Sequence, residues 1–232
     1  MITSIHNEKL KQVKKLARRR ERDRSGVFVA EGEDLLAAAD ASGWHAVERY
    51  CAAGSGLDGA EVNPEVLARV SALGSGTRTL AVYEERWAEP AGPLCVYLHG
   101  VADPGNVGAV LRSAAAFGAS SLALAPDCAD PFGPRAVRAS MGALFALPPS
   151  RTDSTERLPG EKVALVPGQG ESLGGPAAGE TTILVGAERA GLPADVVTAA
   201  DRVVHIPIAG DSLNAAMAAT VALYELTRMA RR

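Results

Sequence analysis

The sequence predicts an α/β protein in two parts: a C-terminal, mostly parallel sheet with helices on both faces, and a smaller α/β unit ahead of it. Three observations predict it. From residue 27 onward, apolar runs of strand length alternate with helical patterns and Gly/Pro turns, as parallel strands joined by crossover helices require. LCVYLHG (94–100) and TTILVGA (181–187) are almost continuously apolar, which suits strands covered on both faces. AEPAGP (88–93) interrupts the pattern as a linker, dividing residues 1–90 from 91–232.

The elements follow in order. Leu10, Val13, Leu16 and Ala17 recur at helical spacing, so the N-terminal arm is expected to be one amphipathic helix. VFVAE (27–31) reads as a strand, EDLLAAADA (33–41) as a helix and AVERYC (46–51) as a strand, followed by a helix near 64–73 and the strand TRTLAVY (77–83). After the linker and the strand at 94–100 come a helix over 107–117, the strand SLALAP (121–126), a short helix near 134–141 and a Pro/Ser-rich connection. KVALVP (162–167) and TTILVGA (181–187) bracket a Gly-rich loop. VVHIPI (203–208) adds a strand, and 212–230 reads as a long helix, apolar on most sides and therefore buried.

Composition narrows the function classes. With 47% hydrophobic and 22% charged residues the chain suits a globular fold. No apolar run reaches membrane-spanning length, and MITSIHNEKLKQVKKLARRR lacks the apolar centre of a secretory signal. Cys51, Cys95 and Cys128 match no disulfide or metal spacing and are expected to be reduced, buried thiols in a cytoplasmic protein. The net charge is −3, but residues 1–26 carry nine Lys/Arg against three Asp/Glu, a local +6 that leaves −9 on the remainder. A basic arm on an acidic body is what a phosphate-tracking element looks like. Lys14, Lys15, Arg18 and Arg19 are its candidate RNA contacts; a merely solvated helix face is the plainer alternative.

Three stretches carry candidate chemistry. In DPGNVGAVLRSAAAFGA (103–119) a buried strand ends, the chain turns, and a helix opens near Asn106, the position at which open α/β sheets bind ligands. Arg112 sits among small apolar residues and wants a carboxylate or phosphate partner. Gly100, Gly105 and Gly108 also suggest a dinucleotide turn with Asp127 as the ribose acid, but their spacing is not G-x-G-x-x-G. In ILVGAERAGLP (183–193) Gly186 permits a close ligand approach, while Glu188 is either functional or an ordinary helix-start carboxylate. In HIPIAGDSLNAAMAATVALYE (205–225), Asp211 or Ser212 is a natural N-cap. Asn214 then becomes a buried amide in need of partners.

Taken together, and in this order, these stretches resemble the three signature motifs of the SpoU (TrmH-like) family of RNA 2′-O-ribose methyltransferases, within the SPOUT superfamily. Residues 106–112 resemble the first motif, LVGAERAGL the second, and IPI with SLNAAMAATVALYE the third. The run Arg138, Ser140, Gly142, Ala143 resembles a further family stretch, and adds Arg138 to the expected RNA contacts. Residues 1–88, with Asn7 and FVAEG (28–32), resemble the family's L30e-like substrate-binding domain. The third motif departs from the family: Gly210 runs directly into Asp211-Ser212-Leu213-Asn214, two residues short, and Ile208 replaces the usual Met.

The resemblance implies a deep trefoil knot, a homodimer, S-adenosylmethionine as cofactor, and RNA as substrate, ribosomal RNA ahead of transfer RNA. It places the cofactor against Leu184, Gly186, Ile206 and Leu213, and the catalytic set at Arg112, Asn106, Glu188, Ser212 and Asn214. Arg112 would stabilise the developing ribose alkoxide, since a guanidinium with a pKa above about 12 is a poor base. Asn106 and Asn214 would orient Arg112 or the ribose. No metal is implied. A non-catalytic RNA-binding protein on the same fold and a nicotinamide-dependent oxidoreductase are the readings from other classes.

Overall fold

A computed structural model describes residues 1–74 and 76–228. The N-terminal unit runs α1 (Glu8–Lys15), α2 (Arg19–Ser25), β1 (Val27–Glu31), α3 (Glu33–Ala41), β2 (Glu48–Ala52), β3 (Ala60–Val62), α4 (Pro64–Val70) and β4 (Thr79–Glu84). Its four strands lie in the order β1-β4-β2-β3. The expected single basic helix is in fact two. Asn7 caps α1 by accepting from the amides of Lys9 and Leu10, and α1 stops at Leu16. Arg18 takes an extended conformation before α2. The physical reason is packing: the break buries Leu16 and turns Arg22 inward, with its Nη1 donating to the Leu16 carbonyl at 2.7 Å.

The N-terminal sheet is covered on both faces, and strand alternation assigns the sides. Val29, Leu80, Val82 and Tyr50 pack with Leu10, Val13 and Leu67 beneath α1 and α4. Phe28, Ala30, Ala81 and Tyr83 point the other way, into a core shared with the C-terminal unit.

That unit runs β5 (Leu94–Leu98), α5 (Pro104–Ala116), β6 (Ser121–Leu124), α6 (Pro134–Ser140), α7 (Ala143–Ala146), β7 (Ser150–Arg151), β8 (Glu161–Leu165), β9 (Glu171–Ser172), β10 (Thr181–Val185), α8 (Ala194–Thr198), β11 (Arg202–His205) and α9 (Ala215–Thr227). Its seven strands lie in the order β7-β6-β5-β10-β8-β11-β9, and every pairing is parallel. The predicted parallel α/β architecture is observed. The short β3, β7 and β9 escaped the sequence because two or three residues establish no period. β5 and β10, central and adjacent, are buried along their whole lengths, as their unbroken apolar runs predict.

The helix after β5 begins earlier than the sequence suggested, at Pro104. Asp103 caps it by accepting from the Asn106 amide at 3.0 Å, with Pro at the first helical position, where no N–H is required. Gly108, a candidate dinucleotide glycine in the sequence, serves packing instead. A Cβ there would press into the Ala136 main chain and lie 2.7 Å from Ala139 Cβ, so the glycine permits the close crossing of α5 and α6.

The C-terminal helix begins at Ala215, three residues later than expected. Asn214, not Asp211 or Ser212, is its N-cap, accepting from the amides of Ala216 (2.9 Å) and Met217 (3.3 Å). Nor is the helix buried all round. Ala215, Ala219, Ala222, Leu223 and Leu226 pack inward, while Met217, Val221 and Tyr224 are 62%, 39% and 54% exposed. Residues 229–230 of the predicted helix lie outside the described residues.

Candidate active site

The C-terminal ends of β8, β10 and β11 release three loops that enclose an open cleft of about 1360 Å³. Of the residues assigned to the cofactor, Gly186, Ile206 and Leu213 line it, together with Val166, Gln169 and Asp211. Leu184 does not: it is fully buried in β10, between Tyr97 of β5 and Ala164 of β8, and only its neighbour Val185 reaches the cleft. Gly186 is required for a reason other than the one the motif suggested. A Cβ there would run into the main chain of Gly191 and Leu192, because residues 187–191 close a tight loop through the Ala187 and Gly191 amides (3.2 and 2.9 Å). The close approach is within the chain itself.

Glu188 and Ser212 also line the cleft. From Glu188 a chain of side chains crosses three loops. Asn106 Nδ2 donates to Glu188 Oε1, and Asn214 Nδ2 donates to Asn106 Oδ1 at 3.1 Å. Three residues drawn from three separate motifs, 82 and 108 positions apart, are thus brought together. The Asn214 amide is exposed rather than buried; it finds its partners as a cap on one side and in Asn106 on the other.

Arg112 stands apart. It is exposed on α5, does not line the cleft, and forms no ion pair among the described residues. Of the partners expected for it, a carboxylate or a phosphate, no carboxylate is supplied among the described residues; next to it, Ser113 Oγ and Thr220 Oγ1, 2.7 Å apart, tie α5 to α9. At the end of β5, Tyr97 OH and His99 Nδ1 lie 3.1 Å apart. Burial pushes the Tyr97 phenol up to about 12, so it stays protonated at neutral pH. Asp127, the other half of the dinucleotide alternative, accepts from the Gly100 amide at 3.1 Å. All three cysteines are free and buried, and burial raises the Cys128 thiol to about 11. Among the described residues no group of His, Cys, Asp and Glu is placed to hold a metal ion, and no helix is long and apolar enough to cross a membrane.

The basic residues divide. Lys14, Lys15, Arg18 and Arg19 are exposed; Arg19 lies 3.7 Å from Asp23, and the other three form no ion pair among the described residues. Arg22 is no surface cation. It is 3% exposed, and its Nε (2.9 Å) and Nη2 (2.6 Å) both donate to Asp130 Oδ2, joining the two units. Arg138, expected to face RNA, donates from Nη1 to both oxygens of Asp34 (2.9 and 2.8 Å) and is a second tie between the units.

Missed altogether from sequence was the junction itself. Phe28, Trp44 and Tyr83 meet Phe132 and Phe145 with ring centroids 4.9 to 6.1 Å apart, and Trp44 Nε1 donates to the Phe145 carbonyl at 3.0 Å. No local pattern marks it, because the aromatics that meet there are scattered from residue 28 to residue 145.

Comparison with known proteins agrees with this geometry. Residues 93–224 match the SpoU rRNA Methylase family and residues 7–87 the MRM3-like substrate binding domain. An uncharacterised tRNA/rRNA methyltransferase of Synechocystis is 31% identical over 98% of this chain and 93% of its own. The 23S rRNA (guanosine(2553)-2′-O)-methyltransferase RlmP of Bacillus subtilis is 27% identical over 97% and 98%. Among solved structures, an AdoMet-bound rRNA methyltransferase from Sinorhizobium meliloti superposes with a TM-score of 0.85 at 30% identity, covering 97% of this chain and 96% of that one.

Proposed function

This chain belongs to the SpoU rRNA Methylase family, and from that premise we propose that it methylates a ribose 2′-hydroxyl of 23S ribosomal RNA in the cytoplasm, using S-adenosylmethionine. Residues 1–90 form the RNA substrate-binding domain and residues 91–232 the methyltransferase domain. The observation that carries the reading is the Glu188–Asn106–Asn214 chain, which starts on the cleft lining and links all three motifs.

The cleft fits S-adenosylmethionine in kind as well as size. Ile206, Leu213 and Val166 offer apolar surface to an adenine, Gly168 and Gly210 leave main chain open to a ligand, and the Glu188 and Asp211 carboxylates favour a sulfonium cation. The cofactor supplies an electrophilic methyl group. The chain supplies placement: Asn106 is held from both sides, so its amide orients what binds beside Glu188. Arg112, with no carboxylate to neutralise it, is free to stabilise a ribose oxygen as it loses its proton and to hold the adjacent phosphate. Since Arg112 does not line its own cleft, a second copy of the chain is the natural means of bringing the two together. Met217, Val221 and Tyr224, at i, i+4 and i+7 on α9, give that copy an apolar face. The homodimer therefore belongs to the mechanism. So does the trefoil knot, supported by the close packing of residues 175–177 across the end of α9, where the Ala177 amide donates to the Leu226 carbonyl at 2.9 Å.

Calorimetry should show binding of S-adenosylhomocysteine and no response to NAD; the reverse result removes the assignment. Ribose-methylation mapping of RNA from a deletion strain should then show one 23S position lost and regained on complementation. A loss confined to transfer RNA would replace the substrate and leave the chemistry.

A further inference from the structure

A second recess lies on the N-terminal unit, remote from the cleft. It has a volume of about 470 Å³ and sits where the end of α1 meets residues 70–72, within the range of about 300–1,000 Å³ usual for small-molecule sites. Leu10 and Val70, both buried, give it an apolar floor. Lys14, Lys15 and Arg18 stand on its rim without ion-pair partners among the described residues. No acidic side chain among the described residues lines it. Lys11 also lines it and pairs with the Glu8 carboxylate at 2.8 Å, while Glu31 accepts from Ser71 Oγ and from the Ala72 amide at 2.8 Å, which fixes the far wall.

We propose that this recess takes one unstacked base of single-stranded RNA, with Lys14, Lys15 and Arg18 on its flanking phosphates. An apolar slot bordered by three cations that form no ion pair among the described residues matches a nucleotide, whose base is flat and poorly hydrated and whose phosphates are anionic. A paired base inside a duplex cannot enter a recess, so the feature read is a loop or bulge. The recess belongs to the α1–α4 side of the N-terminal sheet, whereas the other face of that sheet is sealed against the methyltransferase domain. The base it takes is therefore not the one whose ribose is methylated. The site makes target choice depend on an unpaired nucleotide at a fixed distance from the reacting one. The inference rests on the reading of the basic arm as an RNA contact, and the test separates the two.

The full chain is titrated with single-stranded hexauridylate, hexaadenylate, a hexamer of abasic ribose phosphate and an RNA duplex of equal length, across a salt series. Ala17→Trp fills the recess from an exposed position and Ala72→Phe from the opposite wall; Lys14→Ala removes a phosphate contact and leaves the slot open. Both filling variants should weaken binding of the base-bearing hexamers about tenfold, leave binding of the abasic hexamer and the salt slope unchanged, and keep the melting temperature. Lys14→Ala should weaken all single strands and lower the salt slope by about 0.7. If the filling variants bind hexamers as the unaltered chain does while Lys14→Ala binds weakly, the arm holds RNA but the recess takes no base, and this inference falls. Duplex binding as tight as single-strand binding overturns it equally. If none of the variants changes RNA binding, the arm itself is not an RNA contact and the parent reading falls with it.

Discussion

The domain junction and the cleft are built on opposite principles. At the junction, Phe28, Tyr83, Phe132 and Phe145 are at most 2% exposed and Trp44 is 3% exposed; it is closed further by the buried Arg22–Asp130 pair. At the cleft, Glu188, Ser212 and Asn214 are exposed and Gly186, Ile206 and Leu213 half-buried, held by loop hydrogen bonds rather than packing. Stability is concentrated where the two units meet, and the candidate site sits on loops that contribute little to it. An N-terminal unit fused through a shared aromatic core cannot swing freely, so the distance from the basic arm to the cleft is fixed by the fold.

Substitutions at four positions test that division, in descending order of effect. Phe28→Ala should be the most damaging, costing about 3–5 kcal/mol of stability while leaving S-adenosylhomocysteine affinity intact at temperatures where the chain stays folded; chemical denaturation beside calorimetry reads both. A loss of cofactor affinity in step with stability would mean that junction and cleft are one cooperative unit. Arg112→Ala should do the reverse, lowering single-turnover methyl transfer by about two orders of magnitude or more with melting temperature and cofactor affinity unmoved. Arg112→Lys should restore little of the rate, because an ammonium lacks the planar fork. If Arg112→Ala kept its rate at saturating RNA, the residue would be a binding contact only.

Asn214→Ala lies between the two regions, since Asn214 both caps α9 and steadies Asn106. It should cost about 1 kcal/mol through the lost cap and slow methyl transfer more than that destabilisation accounts for. Asn214→Asp separates the roles: it restores the cap, but as a carboxylate it cannot donate to Asn106. Recovered stability with a persistent rate defect is the expected result.

The smallest effect concerns Glu85, beside the junction. Burial raises its carboxyl above the usual range, helped by Asp130 and Asp23 nearby and opposed by the Trp87 Nε1 hydrogen bond. A folded-state value above the unfolded one favours the protonated form. This contribution to stability is therefore complete below the unfolded carboxylate range and lost as pH rises through the folded value. Glu85→Gln should raise the melting temperature by less than about 2 °C at pH 7, and the gain should vanish below about pH 4. A gain that persisted at pH 4 would point to packing rather than ionisation.

The amino-acid sequence by itself determined the parallel α/β architecture, because continuous apolar strands and their spacing report burial directly. The three motifs were legible only together, through their resemblance to the SpoU family, because Glu188 and Asn214 taken singly have ordinary local uses at a helix start or in a core. Loop closure at Gly186 and the Glu188–Asn106–Asn214 chain depended on which loops meet, which no local pattern encodes. The same holds for the arm, where nine cations looked alike in sequence. Tertiary structure alone decided that Arg22 is buried against Asp130, that Arg138 is held by Asp34, and that Lys14, Lys15 and Arg18 stay free. A charge's partner is set by distance in space, and those partners lie about a hundred residues away.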